Sequence, residues 1–297
     1  MTLRDWILLT TLSFLWGGTF FFVRVALDDL PPLTLVLARV VIGSAVLYAV
    51  LRATGESLPR RREVWTTLAV MALLNNIIPF SLIFWGQTAI PAGLAAILNA
   101  TTPLFSVIVM HLFTTDERAT PGKAAGVALG FLGVVVLVGP AAVGRLDTPL
   151  WALAACLAAT LSYAFSGLWG RRIKPLALTP TVTAWLQLTI TSLVMAPLVG
   201  LVDRPWMLPM PGAAAIAAVL ALAILSTALA YIIFFRLLAT AGPSNLLLVT
   251  FLIPVSTILL TGLFLGERLA WTHVAGMALI GLGLVAIDGR VWRLFRG

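Results

Sequence analysis

Long apolar runs alternate with short polar or charged segments along almost the whole chain. Each run approaches the roughly 20 residues that an α-helix needs to cross the hydrocarbon layer of a membrane. Prolines indicate where these helices begin, because proline fits a first helical turn, where its missing N–H is not needed. Seven of them open an apolar run, namely Pro32, Pro91, Pro121, Pro149, Pro180, Pro211 and Pro243. Three candidate N-cap residues stand just before such prolines, namely Thr120, Thr148 and Thr179.

The pattern therefore predicts an all-α membrane protein with ten transmembrane helices. The predicted spans lie near 6–27, 32–51, 64–85, 91–113, 121–139, 149–170, 180–201, 211–235, 243–265 and 271–288. The first run resembles a signal peptide, but it lacks a small-residue cleavage site and has a counterpart in the second half, so we expect it to be retained.

Composition agrees with the pattern. The 297 residues are 61% hydrophobic and 10% charged, whereas soluble domains carry about 25% charged residues. The net charge of +8 does not indicate nucleic-acid binding, because the basic residues occupy short loops instead of one face. Cys156 is the single cysteine, and His111 and His273 have no His or Cys neighbour at metal-ligand spacing. We expect no metal, no cofactor and no nucleic-acid partner.

Loop charge predicts the orientation, because cytoplasmic loops are enriched in Lys and Arg. Taking the N-terminus as cytoplasmic places 14 of the 19 basic residues inside: Arg4, Arg52, Arg60, Arg61, Arg62, Arg118, Lys123, Arg171, Arg172, Lys174, Arg236, Arg290, Arg293 and Arg296. Three lie outside, namely Arg145, Arg204 and Arg268, and the remaining two, Arg24 and Arg39, lie within spans. The sequence thus predicts a multi-pass protein with both termini in the cytoplasm.

One apolar sequence segment occurs twice in the chain, in similar form. Aligning Pro103 with Pro254 brings Glu117-Arg118 onto Glu267-Arg268, Gly126 onto Gly276 and Gly133 onto Gly283. The alignment predicts two repeats, residues 1–142 and 143–297, with five helices each. Because five is odd, the second repeat enters the membrane inverted relative to the first. Inverted repeats are typical of secondary transporters, in which the two halves rock around a shared central site.

Three features carry a resemblance to a known family: the segment LWGGTFF at Leu15–Phe21, Arg39 in the second span, and the paired phrases of Pro, Glu-Arg, Gly and Gly. With them the chain resembles the drug/metabolite transporter superfamily, in its ten-helix EamA-type branch, and is similar to bacterial amino-acid exporters of the YddG kind. The resemblance implies a bacterial inner-membrane exporter whose site lies between the repeats. The two halves depart from the repeat at two places. Thr114-Thr115-Asp116 in the first half aligns with Leu265-Gly266 in the second, and Pro79 has no counterpart in the second half.

Polar and aromatic side chains near the middle of the spans are candidates for a midplane site, because polar groups in hydrocarbon are costly and usually face the protein interior. The candidate substrate-binding residues are Trp16, Phe20, Asn75, Asn76, Asn99, Thr102, Tyr163, Ser166 and Tyr231. For Ser13, Ser162 and Ser166 a role in helix packing alone is an equal alternative, and Gly126-x-x-x-Gly130 is typical of packing. The asparagines favour a cavity, since a buried amide needs partners.

Two prolines and three charged residues receive other roles. Pro103 and Pro254 free backbone carbonyls within their helices and are candidate gating residues, one per repeat. We expect Arg39 to be structural and to pair with an outer carboxylate such as Glu267. Glu117 and Glu267 stand just before helix N-termini, where negative charge is favoured, and we interpret both as structural.

The prediction is a transporter that exports small neutral or zwitterionic metabolites, most simply amino acids, by alternating access, with a small-molecule substrate, a lipid environment and a monomeric state. A cationic drug calls for a buried acid and a sugar-phosphate or nucleotide-sugar for convergent Arg or Lys; these cargoes remain the alternatives. An intramembrane enzyme would need a catalytic motif that the sequence lacks, and a passive channel would need a charged ring or an oligomeric pore. No ATP-binding loop is present.

Overall fold

The fold is described from a computed structural model that covers residues 2–59, 61–142, 148–242, 246 and 248–288. Several predictions fall outside these residues. They concern Arg60, Arg145, Pro243, the arginines at 290, 293 and 296, and the first residue of the second predicted repeat, at 143.

Ten helices make up the described part of the chain. They are α1 (Leu3–Ala26), α2 (Pro32–Thr54), α3 (Arg62–Ala72, Leu73–Ile77 and Ile78–Gly86), α4 (Ala92–Asn99 and Thr102–Phe113), α5 (Pro121–Ala142), α6 (Leu150–Gly170), α7 (Pro180–Val202), α8 (Ala213–Ala223, Ile224–Leu229 and Ala230–Ala241), α9 (Val249–Phe264) and α10 (Trp271–Asp288). The first eight are long and apolar enough to cross a membrane, and α9 and α10 are shorter apolar helices. The all-α membrane fold predicted from the sequence is confirmed.

Most helix starts follow the proline and threonine signals. Pro32, Pro121 and Pro180 are first helical residues, Pro91 and Pro149 stand at N-caps, and Pro211 lies two residues before Ala213, where α8 begins. The Thr179 side chain accepts a hydrogen bond from the backbone N–H of Val182 at the start of α7. Thr120 likewise accepts one from the N–H of Lys123 over 3.3 Å. The prediction for Thr148 is wrong, because Pro149 itself occupies the N-cap of α6 with no side-chain cap hydrogen bond. Thr148 therefore stands one residue too early to reach the free N–H groups of the first turn.

The two repeats contact each other through α5 and α10, and their repeated glycines form the contact. A Cβ atom added to Gly126 would lie 2.6 Å from the carbonyl oxygen of Gly283, and one added to Gly133 would lie 2.7 Å from that of Gly276. Small residues allow such backbone approach between membrane helices. Each glycine thus meets the repeat counterpart of the other, which is the arrangement expected of two inverted copies around a twofold pseudo-axis.

Two π-helical turns interrupt the bundle at related places. Leu73–Ile77 forms such a turn in α3, and Ile224–Leu229 forms one in α8. Their first residues are separated by the same number of positions as Pro103 and Pro254, so the turns are equivalent in the two repeats. Single π-helical turns within α-helices occur often at functional sites, and both of these contribute residues to the cavity described next.

Candidate functional site

A cavity of about 640 Å³ lies between the two repeats. Its size is within the range of about 300–1,000 Å³ typical of small-molecule sites. Side chains from both repeats line it, and they include eight of the nine candidate substrate-binding residues: Trp16, Phe20, Asn75, Asn99, Thr102, Tyr163, Ser166 and Tyr231. Residues selected because they lie at a similar depth in separate helices therefore line one cavity.

The cavity reaches the face of the bundle on which α1 begins, which we call the N-terminal face. Ile173 and Lys174, in the connection between α6 and α7, line it there together with Thr183 near the start of α7. Lys174 is exposed. The mouth of the cavity is thus at the N-terminal face.

Hydrogen bonds between helices cross the bundle on the opposite face. The carboxylate of Glu267 accepts from the backbone N–H groups of Ala92 and Gly93, at 3.1 and 3.2 Å. The buried side chain of Gln87 donates through Nε2 to the carbonyl oxygen of Phe20 over 3.0 Å. These contacts join α1, the end of α3, the start of α4 and the turn before α10 on the face opposite the mouth.

One wall of the cavity is a polar network that connects three helices. Asn75 in the π-helical turn of α3 donates through Nδ2 to Gln187 Oε1 of α7 over 3.3 Å. Its Oδ1 accepts from the hydroxyl of Ser166 in α6 over 3.2 Å. Hydrogen bonds between side chains fix the relative position of helices in a bundle, so Asn75 both faces the cavity and holds its wall together.

A second wall contains the break in α4. The helix is interrupted between Asn99 and Thr102, and the Thr102 hydroxyl donates to the carbonyl oxygen of Asn99 over 2.8 Å. The amide oxygen Oδ1 of Asn99 is buried and has no hydrogen-bond partner among the residues that the structure describes. Discontinuous helices form midplane binding sites in secondary transporters, and an unpaired buried acceptor is costly unless a ligand or water satisfies it.

Aromatic rings form the apolar part of the wall. The rings of Trp16 and Phe234 lie 5.5 Å apart, centroid to centroid, and bring α1 against α8. Tyr163 and Tyr231 are half-buried and line the same cavity. Tyrosines combine an apolar ring with a hydroxyl, so this wall can contact both polar and apolar parts of a solute.

Asn76 does not belong to this lining. It is fully buried between α3 and α7, where Nδ2 donates to the hydroxyl of Thr191 over 3.2 Å. The reason is geometric, since neighbouring residues of a helix point in different directions and only Asn75 turns toward the cavity.

The predicted pairing of Arg39 with Glu267 is not formed, because Glu267 is engaged at the start of α4. Arg39 lines the cavity instead, and only 6% of it is exposed. Its Nε donates to the hydroxyl of Thr227 over 3.0 Å, and its guanidinium lies 4.1 Å from the ring centroid of Phe80. Within the described part of the chain, no carboxylate forms an ion pair with it.

The other residues assigned gating or structural roles lie outside the lining. Pro103 is the second residue of the second segment of α4, whereas Pro254 is buried inside an uninterrupted α9. Glu117, the repeat counterpart of Glu267, is exposed at the N-terminal face. Its backbone N–H donates to the Thr114 hydroxyl over 3.3 Å.

An ion pair joins two connections near the mouth of the cavity. Arg171, just after α6, donates to both carboxylate oxygens of Asp116, one of them over 3.0 Å. These hydrogen bonds hold the pKa of the Asp116 carboxyl below its usual range. The contact links the turn after α4 to the end of α6 while both side chains stay largely in solvent.

Sequence reasoning missed Gln187 and gave Arg39 the wrong partner. Gln187 is a buried amide in the middle of α7, and the rule that selected the asparagines would have selected it too. Arg39 was assigned a structural pair, although no sequence pattern placed a carboxylate beside it. Apolar lining residues such as Met71 and Phe80 carry no signal that distinguishes them from other residues of their helices.

Ten apolar helices, an inverted internal repeat and a central cavity that is open at one face define a polytopic membrane transporter. Comparison with known proteins agrees. The family model of the EamA-like transporter family matches residues 5–139 and 150–287, so the chain belongs to this family, and each of its repeats matches the model once.

Individual relatives are distant. "Uncharacterized inner membrane transporter YedA" of Escherichia coli (strain K12) is 28% identical over 165 residues, which cover 56% of this chain and 52% of YedA. The chain thus spans about half the length of that curated relative. "Probable amino-acid metabolite efflux pump" of the same organism is 25% identical over 305 residues, which cover 99% of this chain and 98% of the pump. One crystal structure has a TM-score of 0.65 at 21% identity and covers 96% of this chain and 97% of its own, which shows a shared fold.

Proposed function

We propose that the protein exports small zwitterionic metabolites, above all amino acids, across the bacterial inner membrane by alternating access. The single observation that carries the proposal is the cavity between the repeats, lined by amides, hydroxyls and aromatic rings and open at one face. The relative named as a probable amino-acid metabolite efflux pump, which aligns along nearly the whole chain, supports the same cargo.

A zwitterion needs hydrogen-bond partners for two charged ends and an apolar wall for its side chain. Asn75, Asn99, Tyr163 and Tyr231 provide polar atoms, and Trp16 provides an indole surface. No Asp or Glu is among the described residues that line the cavity, which disfavours a permanent cation as cargo.

The symmetry of the repeats supports alternating access. Glu267 joins α4 at the face opposite the mouth, while its counterpart Glu117 is exposed at the N-terminal face. In the proposal the repeats, residues 1–142 and 143–297, exchange these two arrangements as a monomer. Pro103 and Pro254 provide the flexible positions, since proline removes a backbone hydrogen bond from a helix.

The transport proposal is tested by counterflow in proteoliposomes. Purified protein is reconstituted with an unlabelled amino acid inside, and uptake of the same labelled compound is measured for each of the standard amino acids. We expect counterflow above protein-free vesicles for at least one of them. Absence of counterflow for every amino acid would contradict the proposed cargo.

The proposed orientation places the mouth in the cytoplasm, in line with the predicted charge distribution. Single cysteines at Arg204 and Arg61, in a Cys156→Ala background, are treated with a membrane-impermeant maleimide in intact cells. We expect labelling at Arg204→Cys and none at Arg61→Cys before lysis. Labelling of Arg61→Cys in intact cells would reverse the orientation.

A further inference from the structure

We propose that Arg39 binds the carboxylate of the transported solute through its two terminal nitrogens. This inference rests on the proposed function and specifies the chemical class of its substrate. It replaces the structural role that the sequence assigned to this arginine.

The guanidinium is held in a fixed orientation from two directions. Its Nε edge donates to the hydroxyl of Thr227, which itself donates to the carbonyl oxygen of Leu222 over 3.0 Å. One face of the group stacks on Phe80 at 4.1 Å. These contacts leave Nη1 and Nη2, and neither has a hydrogen-bond acceptor among the described residues. Thr227 belongs to the π-helical turn of α8, so a distinctive local structure supports the orientation.

A buried charge without a counterion is expensive. Removing an ion from water costs several kcal/mol even after the surrounding protein relaxes, and arginine cannot avoid this cost by losing its proton. Stacking on Phe80 and one hydrogen bond to a neutral hydroxyl offset part of it. The remaining requirement is an anion, and the cavity that Arg39 lines is the place from which it can arrive.

Two simpler roles do not fit this arginine. An arginine that extends along its helix to the membrane surface would be exposed, as Arg24 is where it pairs with Asp28 over 2.8 Å at 41% side-chain exposure. A structural arginine would donate to a carboxylate or to several backbone carbonyl oxygens. Arg39 is 6% exposed, and its one described hydrogen bond comes from Nε.

The charge distribution along the cavity favours an anionic group. Lys174 lies at the mouth and Arg39 lies within, and these are the charged residues among the described lining. Two positive charges without an acid attract an anion and repel a cation in a site of low dielectric. An amine that lacks an anionic group would meet net repulsion along the whole path.

The free edge of Arg39 matches a carboxylate. The two terminal nitrogens form a planar fork that can donate two parallel hydrogen bonds to the two oxygens of a carboxylate. A phosphate dianion would call for further convergent cations, which the described lining near Arg39 does not offer. Two buried acceptors of the same lining, Asn99 Oδ1 and Ser226 Oγ, have no hydrogen-bond partner within the described part of the chain. They provide sites for the N–H groups of an ammonium, which completes recognition of a zwitterion.

The test compares four groups of compounds in proteoliposome counterflow with wild-type protein. They are amino acids, the matching 2-hydroxy acids, the matching amino-acid amides, and glycerol 3-phosphate. We expect exchange of amino acids, weaker exchange of hydroxy acids, and none of amides or glycerol 3-phosphate. Exchange of amides as fast as of acids would overturn the inference, and exchange of glycerol 3-phosphate alone would overturn the choice of carboxylate over phosphate.

The variants separate binding from structure. Arg39→Gln should lower acid exchange at least about tenfold, as expected for loss of a hydrogen-bonded charge pair, while the Tm of the solute-free protein stays unchanged or rises. A purely structural arginine would instead lower the Tm. Arg39→Lys keeps the charge without the fork, and we expect an intermediate rate with a raised KM. Arg24→Gln is the matched control and should exchange acids at the wild-type rate.

The possible outcomes distinguish this inference from the proposed function. If hydroxy acids but not amino acids are exchanged, and Arg39→Gln abolishes that exchange, the anion site stands and the amino-acid cargo is wrong. If Arg39→Gln exchanges amino acids at the wild-type rate, the cargo stands and the role of Arg39 is wrong. If Arg39→Gln does not fold, Arg39→Lys decides, and an unchanged KM would overturn the inference. If the wild-type protein exchanges none of the four groups, both are wrong.

Discussion

Glu267 Oε1 accepts a hydrogen bond from the backbone N–H of Ala92 over 3.1 Å, so a turn of the second repeat caps a helix of the first. A carboxylate is favoured at a helix N-terminus, where backbone N–H groups lack partners and the helix dipole is positive. The contact crosses from one repeat to the other on the face opposite the mouth. It is therefore a candidate for the interaction that closes that face.

The first prediction concerns this contact. Glu267→Gln removes the charge and one of the two acceptor oxygens, which should increase the time that the opposite face is open. In intact cells a Thr19→Cys reporter, which lines the cavity, should then react faster with an impermeant maleimide added to that face. Glu117→Gln is the matched comparison. Glu117 is exposed here and takes the equivalent contact only when the opposite face is open, so its loss should not increase labelling. Equal labelling in the Glu267→Gln and parent proteins would show that the contact does not hold the face closed.

The second prediction concerns the prolines. Pro254→Ala restores a backbone donor inside α9, and Pro103→Ala restores one just after the break in α4, where it lets the helix continue across the break. Both changes should slow exchange while leaving the Tm unchanged or higher, because a stiffer helix opposes rocking. Initial counterflow rates and thermal unfolding provide the two measurements. Pro197→Ala is the control, because this proline lies inside α7 and is exposed. Wild-type counterflow rates in both Pro103→Ala and Pro254→Ala would show that these prolines have no role in gating.

The third prediction concerns the contact between α5 and α10. Gly133→Ala would place a Cβ 2.7 Å from the carbonyl oxygen of Gly276, so the helices must separate. Overpacking of this kind costs typically about 1–3 kcal/mol, and we expect a lower Tm in detergent. Gly281→Ala makes the same change in α10 at a position where no described atom lies within 4 Å of the added Cβ, and it should leave the Tm unchanged or raise it. Equal Tm values for the two variants would contradict the close glycine contact.

The sequence predicted the helices well because their signals are local. An apolar run, a proline in the first turn and a threonine before it depend on neighbouring residues alone, as at Thr179 and Pro180. The cavity residues were predicted from their depth, which is also a property of one helix. The rotation of a helix about its axis depends on its neighbours, so the sequence does not distinguish Asn75, which lines the cavity, from Asn76, which does not. The partner of Arg39 depends on how α2 packs on α8, because Thr227 lies in the π-helical turn of α8 and such a turn has no local sequence signature.

The central claim is that solute passes through the cavity between the repeats. Its most direct test is the initial rate of amino-acid counterflow for Trp16→Ala and Asn99→Ala, beside Trp85→Ala as control. Trp85 is 48% exposed and stacks on Trp151, away from the cavity. Loss of a buried polar partner costs about 1–3 kcal/mol, which corresponds to roughly 5- to 150-fold in affinity. We predict a loss of that size in Asn99→Ala and a lower rate in Trp16→Ala, because the latter removes the apolar indole surface of the site. Folded yield should be maintained in both, and Trp85→Ala should exchange at the normal rate. Wild-type kinetics in both Trp16→Ala and Asn99→Ala would contradict the account.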